Sequence, residues 1–179
     1  MLRVLISGCN GHMGRVLTQL CEESEEVEIV GGFDLLGCGN GAFPVWDSPA
    51  ACPVSADVVV DFSASAALPA LLDFGLSRRI PLVLCTTGYT EEQNASIAQA
   101  ARIIPIFRSA NMSLGINVLS ALVTKAAAAL LGFDVEIVER HHNRKLDAPS
   151  GTALMLAEAA AKGLPYKPTP VYDRQSVRR

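Results

Sequence analysis

The feature that most limits the fold stands at the N-terminus. The aliphatic run Leu2–Ser7 breaks at Gly8-Cys9-Asn10-Gly11-His12-Met13-Gly14-Arg15, and a helical pattern follows. Strand, G-x-x-G-x-x-G turn and helix together are the opening of a βαβ unit. Glycines there let a pyrophosphate approach the backbone more closely than a Cβ would permit. The helix N-terminus adds unpaired N–H groups and the positive end of its dipole. The next apolar run, Val27 to Phe33, ends at Asp34, where an acid accepts hydrogen bonds from ribose hydroxyls and repels a 2′-phosphate. Leu35 follows in place of a basic residue, so the pattern leans towards NADH; Arg15 partly compensates and leaves NADPH open. His12 reads as a solvated loop residue, not a catalyst.

Strands and helices keep alternating downstream. Residues 35–56, rich in Gly, Pro, Ser and Cys, read as a long irregular connection. Val58 to Phe62 is fully apolar until its Asp61, as expected of a strand buried on both faces. A helix over 66–78 leads to a strand at Pro81 to Cys85, and a helix over 91–102 leads to another at Ile103 to Arg108. Strands separated by helices of this length predict parallel crossovers and an α/β fold with a Rossmann-like doubly wound sheet. Ligands of such sheets sit outside the carboxyl ends of the strands. Two more loops leave that edge, Cys85-Thr86-Thr87-Gly88 and Ser109-Ala110-Asn111-Met112. Their hydroxyl and amide groups suit a nicotinamide and its ribose, and they suit ordinary turns equally well.

The pattern changes after Ser109. Ser113 is placed to cap a helix running to about Leu131, Phe133 to Val138 alternates like a strand with one solvated face, and an Ala-rich helix opens near Ser150. One strand and two helices leave faces uncovered. Residues 113–179 therefore read as the start of an incomplete α+β domain, its remainder outside this sequence or supplied by another chain, after a dinucleotide-binding domain over residues 1–112.

Composition narrows the function classes. Charged residues are 18% of the chain, the formal net charge is −3, and aromatics are 6%. These values fit a packed domain of small aliphatics and argue against a nucleic-acid partner. No apolar stretch is long enough for a membrane span. Five scattered cysteines, at 9, 21, 38, 52 and 85 with no C-x-x-C pair, read as reduced thiols of a cytoplasmic protein.

The densest polar segment is Glu139-Arg140-His141-His142-Asn143-Arg144-Lys145-Leu146-Asp147-Ala148-Pro149-Ser150-Gly151-Thr152. A histidine passes protons near neutrality, neighbouring cations stabilise a substrate anion, and the N-terminus of the helix opened by Ser150 offers a carboxylate site. A metal site lacks a further ligand at usual spacing.

This block resembles the signature E-x-H-H-x-x-K-x-D-A-P-S-G-T-A of the dihydrodipicolinate reductase (4-hydroxy-tetrahydrodipicolinate reductase) family. The N-terminal G-x-x-G-x-x-G-R, Val60-Asp61-Phe62-Ser63, Thr86-Thr87-Gly88 and Ala110-Asn111-Met112-Ser113-Leu114-Gly115-Ile116-Asn117 resemble that family's other blocks, in the same order. The resemblance implies a cytoplasmic, homotetrameric enzyme of lysine and diaminopimelate biosynthesis that uses NADH or NADPH to reduce a cyclic unsaturated dicarboxylate to tetrahydrodipicolinate. It implies that Gly8, Cys9, Asn10, Gly11, His12, Met13, Asp34, Cys85, Thr86, Thr87, Ser109, Ala110, Asn111 and Met112 hold the cofactor. It also implies that His141 is the general acid or base, Lys145 a proton donor or anion partner, and that His142, Gly151 and Thr152 bind substrate carboxylates. Residues 113–179 become the beginning of a substrate-binding and oligomerisation domain that continues further in family members. Cys85 departs from the family's glycine before Thr-Thr-Gly. The alternative from another functional class is a dinucleotide-binding module without turnover.

Overall fold

Alternation along the central strand sets the layers of the first half of the molecule. In β1 (Leu2–Ser7), Leu5 faces one side of the sheet and Val4 and Ile6 the other, and all three are buried. The computed structural model describes residues 1–37, 41–143 and 148–172. Within these the chain divides into two units, Met1–Ala110 and Asn111–Arg179.

In the first unit, β1 is followed by α1 (His12–Glu22), β2 (Val27–Phe33), β3 (Val45–Trp46), β4 (Val58–Asp61), α2 (Leu68–Arg78), β5 (Leu82–Leu84), α3 (Glu91–Ala100) and β6 (Ile106–Arg108). The six strands form one parallel sheet in the order β3-β2-β1-β4-β5-β6. Strand order reverses between β1 and β4, so the two halves of the sheet part there and leave a crevice at their carboxyl ends. Leu5, Val59, Leu82 and Leu84 pack with Leu68, Leu71, Phe74 and Ile97 from α2 and α3. On the opposite face Val4, Ile6, Val58 and Val60 pack with Leu17 of α1. A sheet covered on both faces explains why the centres of β1 and β4, residues 4–6 and 58–60, are unbroken apolar runs.

Local chemistry fixes the helix ends. Thr90 Oγ1 accepts from the Gln93 amide at 3.2 Å while Gln93 Oε1 accepts from the Thr90 amide at 3.0 Å, a reciprocal capping box that starts α3. Arg78, at the end of α2, donates to the carbonyls of Cys52 and Val54 and stacks over Phe74, which ties down the connection before β4.

Four expectations need correction. The connection over 35–56 is not wholly irregular: β3 pairs with Gly32 and Phe33, and a 3-10 turn follows at Pro49–Ala51. Two residues are too few to show alternation in sequence. The last strand begins at Ile106, not Ile103, because Ile103 and Ile104 still donate to Ala100 in the turn that closes α3. In the second unit α4 (Leu114–Ala129) ends before Leu131, and Ser113 makes no side-chain capping bond. Phe133 to Val138 is exposed and is not a strand among the described residues. Alternation needs a ladder partner to become a strand, and none of the described residues supplies one.

The second unit is built on α4 against α5 (Gly151–Gly163). Thr124 Oγ1 donates across to the Ala159 carbonyl at 2.8 Å, and Gly163, lacking a Cβ, lets the Thr124 carbonyl approach α5. Small residues on both helices make that approach possible.

Candidate functional site

The three glycines after β1 do different work. Gly8 has φ +75°, and a Cβ there would stand 2.8 Å from the Phe62 carbonyl oxygen and 2.9 Å from Ser63 Cα. It makes the tight turn beside the neighbouring strand end. A Cβ on Gly14 would overlap the Gly8 carbonyl oxygen and come within 2.7 Å of Cys9 Cα, so this glycine allows α1 to pack closely on the turn. Gly11 is exposed, and a Cβ there would meet only the Gly8 oxygen, at 3.2 Å. It occupies the N-cap of α1 and brings no side chain to its N–H groups. Turn, ligand approach and helix packing are the three roles that glycines take in a dinucleotide loop, in that order. The sequence pattern treats these glycines together; the space around each separates them.

Asp34 follows β2 and is bonded to both sides of the loop edge. Its Oδ2 accepts from the Asn10 amide at 3.1 Å and its Oδ1 from the Leu36 amide at 3.2 Å. The acid is thus fixed beside the glycine turn. Cys9 is buried beneath the same turn, its thiol directed to the Phe33 carbonyl. Burial first and the Asp34 charge second push this thiol up to about 11. Cys9 therefore contributes packing, not a nucleophile, and its amide is turned to the Phe33 carbonyl at 3.5 Å. His12 and Met13 are the first two residues of α1 and are exposed.

The loop after β5 reaches the same sheet edge. The Cys85 amide donates to the main-chain oxygen of Asp61 at 2.9 Å, and Thr86 Oγ1 donates to the Asp61 carboxylate at 2.7 Å. Cys85 is buried, and burial followed by the Asp61 charge pushes its thiol up to about 11. The side chain that replaces the family's glycine is accommodated inside the protein. Thr87 is exposed, and the Ser109 amide donates to the Leu84 carbonyl at 3.2 Å, closing the loop after β6 onto β5. Gly8 to Met13, Asp34, Cys85 to Thr87, Ser109 and Ala110 all follow the carboxyl ends of parallel strands of one sheet. Asp61 and Tyr89 were assigned no role from sequence, although an acid closing an apolar strand is a readable signal.

In the second unit Asn111 and the start of α5 are joined. Asn111 Nδ2 donates to Thr152 Oγ1 at 2.9 Å while Asn111 Oδ1 accepts from the Ser113 amide at 2.8 Å. Ser150 is buried and caps α5, its Oγ accepting from the Ala153 amide at 3.1 Å. The Ser150 amide donates to Glu139 Oε1 at 2.9 Å, and Glu139 Oε2 lies 3.5 Å from His141 Nδ1. Glu139 therefore holds His141 to the N-terminal end of the helix that carries Gly151 and Thr152. A carboxylate two residues from a histidine is the sequence signal that was passed over. His142 and Met112 belong to the same unit; Lys145, with Asp147, lies outside the described residues.

A family model described as the N-terminus of dihydrodipicolinate reductase matches residues 2–112, and one described as its C-terminus matches residues 115–178. This chain belongs to the dihydrodipicolinate reductase family. A 4-hydroxy-tetrahydrodipicolinate reductase of Caldanaerobacter subterraneus subsp. tengcongensis is 51% identical over 174 residues, covering 97% of this chain and 69% of that protein. The protein of the same name from Clostridium tetani is 43% identical over 175 residues, with 97% and 69% covered. Among solved structures, a dipicolinate-bound dihydrodipicolinate reductase from Paenisporosarcina sp. TG-14 superposes with a TM-score of 0.74 at 27% identity, covering 99% of this chain and 72% of that one. The sequence resemblance and the parallel sheet agree with these matches.

Proposed function

We propose that this chain is a 4-hydroxy-tetrahydrodipicolinate reductase of lysine and diaminopimelate biosynthesis, with a nicotinamide cofactor held over residues 1–112 and the dicarboxylate handled by residues 113–179. The observation that carries this is the division of roles among Gly8, Gly11 and Gly14 at a sheet switch point, in a chain whose relatives bear that name. When bound, the reduced nicotinamide supplies a hydride. The chain's own groups do the rest. The turn Gly8 to Met13 receives the pyrophosphate at the N-terminus of α1, where the His12 and Met13 amides are the donors, since the amides of Gly8 to Gly11 are bonded to Phe33, Asp34 and Gly8. Asp34 binds the adenosine ribose, and Cys85 to Thr87 with Ser109 to Met112 hold the nicotinamide half. Asp34, already fixed by two amides, opposes a 2′-phosphate, which favours NADH over NADPH.

A ring that accepts a hydride needs a matching proton. His141 acts as the general acid or base, oriented by Glu139, and Lys145 serves as a second proton donor or anion partner. His142 and the amides of Gly151 and Thr152 bind the substrate carboxylates, the amides at a helix N-terminus already set by Ser150 and Asn111. The four described cysteines are buried free thiols, and no described helix is long and apolar enough to cross a membrane; the cytoplasmic location follows from the family resemblance. The exposed Leu114, Leu122 and Phe133 of the second unit suit the homotetramer that the family resemblance implies. The test is a pair of titrations, with dipicolinate and with NADH, on wild type and Lys145→Ala. Dipicolinate affinity falls at least tenfold, while NADH affinity stays within about 1 kcal/mol. Equal loss of both ligands contradicts this division of roles.

A further inference from the structure

Asp61, the last residue of β4, stands at the strand-order reversal and is only 1% exposed. Its carboxylate meets four donors from three points of the chain. Oδ1 accepts from the Ser63 amide at 3.1 Å and from the Ser63 hydroxyl. Oδ2 accepts from Thr86 Oγ1 at 2.7 Å and from the Tyr89 hydroxyl at 3.4 Å. The web extends outward, since the Arg108 guanidinium stacks 5.3 Å from the Tyr89 ring centre and donates to Asn94 Oδ1 at 2.6 Å. Burial first, and the Asp61 charge second, push the Tyr89 phenol well above its ordinary range, so it remains a hydroxyl donor.

A carboxylate at this depth is costly unless fully hydrogen-bonded, and an aliphatic residue would serve packing alone at less cost. What the acid provides is a link between the loops after β4 and β5. We propose that Asp61 is a positioning residue that shapes these loops for the nicotinamide half of the dinucleotide. It is too deeply buried to meet the ligand and acts through Thr86. The inference rests on the dinucleotide reading above. It assigns Asp61 to one half only: Asp34 and the β1–β2 side take one mononucleotide, and the β4–β5 side takes the other.

The experiment titrates the whole chain with NADH and with ADP, which lacks the nicotinamide and its ribose. Asp61→Asn keeps the side-chain size but turns one of the two acceptor oxygens that serve Ser63, Thr86 and Tyr89 into an amide donor. NADH Kd rises about tenfold and ADP Kd stays within about twofold of wild type. Tyr89→Phe removes one outlying donor and keeps the ring, and raises NADH Kd about threefold with ADP again unchanged; it carries the test if Asp61→Asn does not fold. Parallel loss of both ligands, or unchanged NADH affinity in the folded variants, overturns the inference. Failure of the wild type to bind either ligand overturns the dinucleotide reading itself, and this inference with it.

Discussion

Replacing Gly8 by alanine separates two costs that the structure adds together. The backbone there has φ +75°, and the new Cβ would lie 2.8 Å from the Phe62 carbonyl oxygen. An L-residue in the left-handed region costs about 1–2 kcal/mol, and forcing a methyl group against packed backbone costs about 1–3 kcal/mol more. Gly88 is the matched control, with φ +77° and nothing within 4 Å of its Cβ position. Gly88→Ala should therefore cost about 1–2 kcal/mol and Gly8→Ala about 2–5 kcal/mol. Trp46, the single tryptophan, lies on β3 of the same unit, so its fluorescence in a urea titration reports the unfolding of that unit. With m unchanged, the two midpoints convert directly to a difference in stability. Equal losses in the two variants would refute the steric half of this reasoning.

Two further outcomes follow from the same edge of the sheet. Gly11→Ala, at an N-cap with φ −70°, should cost no more than about 1 kcal/mol in stability yet weaken NADH at least tenfold, read by fluorescence titration; unchanged NADH affinity would remove Gly11 from the pyrophosphate path. Cys9 and Cys85, each pushed up from 9.0 to about 11, should resist iodoacetamide at neutral pH in the folded chain and react readily once it is unfolded, as read by peptide mass mapping. Because folding raises their pKa, the stability they contribute is complete below about 9 and declines as pH rises towards about 11.

The parallel sheet was legible because β1 and β4 carry the apolar runs 4–6 and 58–60 and because a glycine turn punctuates the first crossover. The glycine loop, Asp34 and the two loops that begin at Cys85 and Ser109 were legible because topology alone carries their first residues to one edge. What each glycine does was not, since only coordinates separate Gly11, whose Cβ position meets a single backbone oxygen at 3.2 Å, from Gly8 and Gly14, whose Cβ positions would press into several backbone atoms within 2.9 Å. Asp61 was missed for a related reason. Its partners Ser63, Thr86 and Tyr89 come from separate segments, and no spacing in the chain records that they converge. Glu139 is the opposite case, a short-range pairing with His141 that its position two residues away already suggested. Phe133 to Val138 shows the limit of periodicity, which records a face but not whether a neighbouring strand exists to pair with it.

Oxidation of NADH by this chain, followed at the nicotinamide absorbance band with enzymatically generated 4-hydroxy-tetrahydrodipicolinate, tests the central claim most directly. Oxidation should require the substrate and disappear in His141→Ala while NADH binding persists. Substrate-dependent turnover that survives His141→Ala unchanged would contradict the assigned proton chemistry, and NADH binding with no turnover in the wild type would favour a binding module over a reductase.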